Sequence, residues 1–193
     1  MLKPEDAVYT LGWTAGQRVN ALREFVLKYG CESFFPWEEL MASDFFVAPA
    51  STKYHGAYAG GLFDHSMNVA NVLCYLTGAE ITEPWMRPES PFLVGIFHDL
   101  TKIGKYSVND TGDGFKWSPA TDRPIYGGHG AESVIRAQQM IQLTVEESLC
   151  IRFHMGAYEK DDWEAFDRAI KQYPNVLWTH TADMIASKML EKN

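Results

Sequence analysis

An apolar run, Pro91-Phe92-Leu93-Val94-Gly95-Ile96-Phe97, ends in His98-Asp99-Leu100-Thr101-Lys102. Its composition predicts a buried helix, and burying an imidazole and a carboxylate costs several kcal/mol each unless something pairs with them. A metal ion is the simplest partner, because it takes the carboxylate as an anion and the imidazole as a neutral ligand. Neighbours on a helix point about 100° apart, so His98 and Asp99 supply only two walls of such a site. Other elements must supply the rest.

The candidates are the remaining polar residues that fall in apolar helical surroundings: His65, His129, His154 and Asp183. A mixture of imidazole and carboxylate suits Mn, Fe, Co, Ni or Zn, with Mg compatible, and does not suit an all-oxygen calcium site. His65 belongs to a helix predicted from about Gly61 to Thr77, where Leu62, Val69 and Val72 share its side by i±3, i+4 and i+7 spacing. His129 lies in Gly127-Gly128-His129-Gly130, which opens a helix over Ala131 to Ile141. Thr144 and Glu147 form a capping-box pattern for the helix that runs on to His154. Asp183 falls in the apolar series Val176, Leu177, Ala182, Ile185, Ala186 and Met189 of a helix from about Asn175 to Glu191, with His180 one turn earlier as its expected structural partner.

Other elements complete the frame. Trp13 to Gly30 and Pro36 to Met41 read as helices, the second with proline at its first position. Asp161 to Tyr173 reads as an amphipathic helix stopped before Pro174. Between Gly104 and Gly128, Asp113-Gly114 between short mixed runs predicts a hairpin or long ordered loop. The fold expected is all-α, one compact helical bundle over residues 1–193 with that small insertion. An N-terminal helical extension covers about residues 1–46 and the core about 47–190.

With 17 basic and 25 acidic residues the net charge is -8, which argues against a protein that grips long nucleic acid through a broad basic surface. No run approaches 18 apolar residues and the first residues lack the apolar core of a signal peptide, so no membrane partner is expected. Cys31, Cys74 and Cys150 are scattered and odd in number, which reads as reduced thiols in a cytoplasmic protein. A homo-oligomer stays open as a partner, and the exposed pattern of the Asp161 to Tyr173 helix does not decide it.

The order His65, then His98-Asp99, then Asp183 resembles the HD superfamily of metal-dependent phosphohydrolases over roughly residues 47 to 190. His98-Asp99-Leu100-Thr101-Lys102 is similar to that superfamily's HDxxK element, and Thr181-Ala182-Asp183 to its Ala-Asp element. Lys53-Tyr54-His55-Gly56-Ala57-Tyr58-Ala59-Gly60-Gly61-Leu62-Phe63-Asp64-His65 is similar to the His-His-Ala-Tyr-x-Gly-Gly-Leu-Leu-Glu-His stretch of YhaM-type 3′-to-5′ exoribonucleases. Gly56 stands where that group has its second histidine, and no oligonucleotide-binding barrel is expected before the stretch.

The resemblance implies that His65, His98, Asp99 and Asp183 hold a first divalent metal, and that His129 and His154 bind a second with Asp99 bridging. His129 has a second reading as a phosphate contact, because a helix N-terminus offers free amides to anions. Lys102 neutralises phosphate oxygens, or else is a solvated helix-end lysine. The expected catalytic residues are Asp99, Lys102 and His129. The leaving oxygen needs a proton, for which His129, His154 and Asp64 are all candidates. His55 either positions substrate or fixes its own loop, and Lys116 and Arg123 either reach a phosphate or are solvated.

The function expected is divalent-metal hydrolysis of a small phosphorylated substrate, in the first place a nucleotide, through activated water. Two rivals stand beside it: a phosphodiesterase or 3′-to-5′ exonuclease acting on short single-stranded nucleic acid, and a module that binds a nucleotide without hydrolysing it.

Overall fold

The computed structural model describes residues 2–110, 115–120, 127–156 and 163–191, with 108–110 and 115–117 described by their backbone alone. Through these run α1 (Ala15–Lys28), α2 (Trp37–Ala42), α3 (Gly61–Gly78), α4 (Ser90–Phe97), α5 (His129–Met140), α6 (Val145–Arg152), α7 (Trp163–Gln172) and α8 (Asn175–Ile185). An antiparallel hairpin, β1 (Tyr106–Asp110) and β2 (Phe115–Pro119), lies between α4 and α5, with Tyr106 opposite Pro119 and Asp110 opposite Phe115. The fold is therefore mostly helical, with the small insertion the sequence predicts. No helix among the described residues is long and apolar enough to cross a membrane.

Local chemistry sets several helix ends. Thr144 Oγ1 accepts from Glu147 N at 3.2 Å while Glu147 accepts from Thr144 N at 2.8 Å, so the capping box at the start of α6 forms as expected. Thr14 and Gln17 do the same for α1. Pro36 stands just before α2 and not at its first position. The last predicted helix departs most from expectation. Its α-helical winding stops at Ile185 and continues as a π-helical turn, Ala186–Leu190, closed by Glu191 N donating to Ala186 O at 3.0 Å.

α3 is the central helix: every residue from Gly61 to Ala70 is buried. Its polar side chains therefore need partners. Asp64 accepts from Thr10 N and Thr10 Oγ1, both at 2.6 Å, and from the Tyr58 hydroxyl at 2.7 Å. Asn68 pairs with the backbone of Val8, accepting at 2.6 Å and donating at 3.2 Å. The buried Arg18 donates to Thr10 Oγ1 and to the carbonyls of Thr10, Phe46 and Ala59. It lies against Gly60, whose φ of 91° and lack of a side chain leave room for the guanidinium at the start of α3. The N-terminal segment is thus tied to α3 by polar contacts, and its Leu22, Val26, Phe35, Leu40 and Phe45 share one apolar core with α3 and α4.

Three further contacts hold the helix ends that matter below. α4 crosses α3 so closely that a Cβ at Gly95 would overlap the backbone of Ala70. A Cβ at Gly130 would overlap the carbonyl of Arg152, so the first turn of α5 sits on the end of α6. The turn after α4 is fastened to α5 by Thr101, which donates from N to Ser133 Oγ at 3.1 Å and from Oγ1 to Glu132 at 2.9 Å.

The α3–α4 crossing yields a stability test. Gly95→Ala is expected to cost about 1–3 kcal/mol by overpacking, lowering the melting temperature by about 2–4 °C for each kcal/mol. Gly78→Ala, where nothing lies within 4 Å of the added methyl, should leave stability unchanged or raise it. Equal melts for the two variants would show that the helices can separate without cost.

Candidate functional site

The side chains that position themselves at the meeting point of α3, α4, α5, α6 and α8 are mostly imidazoles. His98 caps the end of α4, and its Nδ1 lies 2.8 Å from Gly95 O. His154 follows the end of α6, with Nδ1 2.7 Å from Ile151 O. A carbonyl only accepts, so in both rings Nδ1 carries the proton and Nε2 turns inward with its lone pair. His98 Nε2 lies 3.2 Å from His65 Nε2, and both rings are buried. His65 is gripped at both nitrogens: Asp183 Oδ1 is 3.2 Å from Nε2, and Glu191 Oε1 and Oε2 are 3.1 and 3.2 Å from Nδ1. On the far side, His129 Nε2 donates to Asp99 Oδ1 at 2.6 Å, and Lys102 Nζ stands 3.9 Å from Asp99 Oδ2.

Of these groups, His65, Asp99, Lys102, His129, His154 and Asp183 line a pocket of about 400 Å³, and the fully buried His98 lies behind them. Tyr54, His55, Met155, His180 and Met184 line its walls with Ser187 and Lys188.

Electrostatics sort the protons. Burial, joined by the neighbouring His98 and His129, pushes His154 down to about 3. Burial and His65 push His55 down to about 4, and burial also lowers His98. Burial would lower His65 too, but Glu191 and Asp183 outweigh it and raise its pKa well above the usual histidine value. Burial opposes ionisation of Asp99 and Asp183, yet Lys102 and His129 hold the first well below the carboxylate range, and His65 holds the second below it. Lys102 loses some basicity to burial and regains more from Asp99, so its pKa is raised.

Two adjoining donor groups result, His65–His98–Asp183 and Asp99–His129–His154, each with ligand atoms within 4.8 Å of one another. Their chemistry fits a divalent cation. The inward Nε2 atoms of His98 and His154 are neutral lone pairs with their outer nitrogens already committed, and two ionised carboxylates face them. His55, His65 and Glu191 form a third such group.

The structure brings His65, His98, Asp99, Lys102, His129, His154 and Asp183 together, with His55 stacked on His65 at 4.6 Å between ring centroids. Asp99 groups with His129 and His154 through one carboxylate oxygen. Asp64 is not part of the site, because its carboxylate is consumed by Thr10 and Tyr58 on the other side of α3. His180 partners the carbonyl of His154 at 2.7 Å, not Asp183. Arg123 and the Lys116 side chain lie outside the described residues. Glu191 was not legible as a site residue. Helical spacing alone sets it away from Asp183, and the wider last turn brings it back.

Proton uptake gives a test on the metal-free protein. Between the ordinary histidine value of 6.5 and their depressed values of about 4 and about 3, His55 and His154 are protonated only when the chain unfolds. The unfolded state binds more protons there, so stability falls as pH drops through that window. His65 has the opposite sign, its contribution being complete below 6.5 and lost as pH rises through its raised folded value. Asp99 and Asp183 contribute stability that is lost only below the ordinary carboxylate value of 3.8. Urea titrations between pH 6 and 4.5 should show up to about 1.4 kcal/mol lost per pH unit for each depressed histidine. His154→Gln should remove one histidine's share of that slope, and an unchanged slope would show that His154 titrates normally.

No family model matches the chain, nor does any curated protein or solved structure, so what the site can do follows from its own atoms.

Proposed function

We propose that this chain is a divalent-metal-dependent phosphohydrolase acting on a nucleotide or a related small phosphoester. What carries the reading is the pair of adjoining His/Asp donor groups, all but the buried His98 lining one pocket, with the cationic Lys102 beside them. The motif order that resembles the HD superfamily points the same way. His65, His98 and Asp183 would hold one ion, and Asp99, His129 and His154 a second. A bound divalent ion supplies Lewis acidity toward a phosphoryl oxygen and lowers the pKa of a water at its open position.

The chain's own groups do the rest. Lys102, raised in pKa and only 14% exposed at its side chain, keeps its charge beside Asp99 and neutralises phosphoryl oxygens. Of the three groups expected to protonate a leaving oxygen, Asp64 is sealed off. His154 is neutral, with its one proton on a backbone carbonyl. His129 is left, and it would serve as proton donor only where Nε2 keeps the proton it gives to Asp99 and does not itself hold the second ion. Tyr54, Met155 and Met184 give the mouth an apolar lining, and a volume of this order suits a mononucleotide-sized ligand. With a net charge of -8, that favours a small substrate over a polymer.

The test is release of phosphate or nucleoside from a panel of ribo- and deoxynucleotides with Mn, Co, Ni, Mg and Zn each supplied. Metal-dependent turnover is expected, abolished in Asp99→Ala and reduced about 10²–10³-fold in kcat/KM in Lys102→Ala. Faster shortening of labelled oligonucleotides than turnover of free nucleotides would replace the small-substrate reading with the exonuclease. Tight nucleotide binding without turnover in any metal would replace hydrolysis with a binding module.

A further inference from the structure

We infer that Glu191 is a positioning residue for the metal site, fixing the ring of His65 through its outer nitrogen so that Nε2 faces the ion; this rests on the metal-dependent reading above. Both Glu191 oxygens reach His65 Nδ1, at 3.1 and 3.2 Å, and Oε1 also accepts from Asn68 Nδ2 at 3.0 Å. Asn68 lies on α3 three residues beyond His65 and is itself held by the backbone of Val8. The carboxylate is therefore held from two sides. A carboxylate on Nδ1 permits only the tautomer with its proton there, which leaves Nε2 as the ligand atom and makes the imidazole a stronger donor.

Backbone geometry shows how the residue gets there. Glu191 lies eight residues after Asp183, and α-helical winding of about 100° per residue would set it about 80° round the axis from Asp183. The π-helical turn Ala186–Leu190 winds less per residue, bringing Glu191 back toward the side that carries Asp183. As a result one continuous helical segment grips both nitrogens of His65, Asp183 at Nε2 and Glu191 at Nδ1. Of the two carboxylates, only Asp183 is placed to enter the donor group with His98.

The test is titration of the metal-free protein with Co²⁺ alone, followed by its visible absorption, for wild type, Asp183→Ala, Glu191→Gln and Glu191→Ala. Wild type is expected to bind and Asp183→Ala to lose binding. Glu191→Ala should bind about 10- to 100-fold more weakly than wild type. Glu191→Gln keeps an acceptor for the Nδ1 proton without the charge and should fall between them; it is close to isosteric and carries the test if the alanine variant does not fold. In the Zn²⁺-loaded protein the His65 Nδ1 proton should be seen by ¹⁵N-resolved NMR in wild type and lost or exchange-broadened in Glu191→Ala. A tether with only a structural role would lower the melting temperature of the metal-free protein and leave Co²⁺ affinity and that resonance unmoved. If wild type binds Co²⁺, Asp183→Ala does not, and both Glu191 variants bind as wild type does, the inference is overturned while the metal site stands. If wild type binds none of the metals, the reading beneath it falls as well.

Discussion

Five imidazole rings lie in one row through the interior, His55, His65, His98, His154 and His129, with centroid separations of 4.6, 5.1, 5.0 and 5.5 Å. Rings this close and this poorly hydrated cannot all be charged, and they cannot all point a proton at their neighbours. The fold has to assign each proton. It does so for His98 and His154 with the same device. Each ring stands at or just beyond the end of a short helix and donates Nδ1–H to the carbonyl three residues earlier. Those carbonyls belong to the last turns of α4 and α6, where the helix itself provides no donor. An unavoidable defect of helix ends thus fixes two tautomers at once.

The rest of the architecture serves to bring those two helix ends face to face. Gly95 lets α4 touch α3 backbone to backbone, which sets His98 against His65. Gly130 lets α5 settle on the end of α6, which sets His129 beside His154. Thr101 ties the turn carrying Asp99 and Lys102 to α5. At the opposite end of α6 the buried Glu147 accepts from Arg87 at 2.7 and 2.8 Å and from Ser90 at 2.7 Å, while Glu146 accepts from Met86 N and Asn175. Through these two carboxylates α6 holds the starts of α4 and α8. A site made of residues from five helices needs each of these contacts, because no local sequence signal keeps distant helices in register.

What the sequence disclosed and what it hid follow from the same division. An apolar run ending in His98-Asp99, an imidazole on the buried side of α3 and a capping box at Thr144 are local patterns, and each stands where local spacing puts it. Asp64 was misread because its partner Thr10 lies 54 residues away, and nothing near Asp64 marks it as sealed. His180 sits one turn before Asp183, yet its ring turns to the carbonyl of His154, 26 residues away. Spacing along a helix shows which side chains share a face. It does not show which neighbouring helix that face meets.

Glu191 is the sharper case, because there the local rule itself changes. A periodicity of 3.6 residues carried through to the end of α8 sets Glu191 about 80° round the axis from Asp183, and the wider turn at Ala186–Leu190 narrows that offset so that both meet one histidine. A π-helical turn forfeits favourable α-helical bonding and persists where something else compensates. Here the compensation is visible in the contacts Glu191 gains, two oxygens on a buried imidazole and one bond from Asn68. In the metal-free state those oxygens and Asp183 hold His65 as a cation. On the proposed reading, an ion held at Nε2 would take the place of one proton, and Nδ1, in contact with Glu191, would not be needed as its ligand. The same carboxylate that stabilises this arrangement of side chains is thus the one that would orient His65 toward an ion, so the donor groups stand assembled on the chain's own contacts.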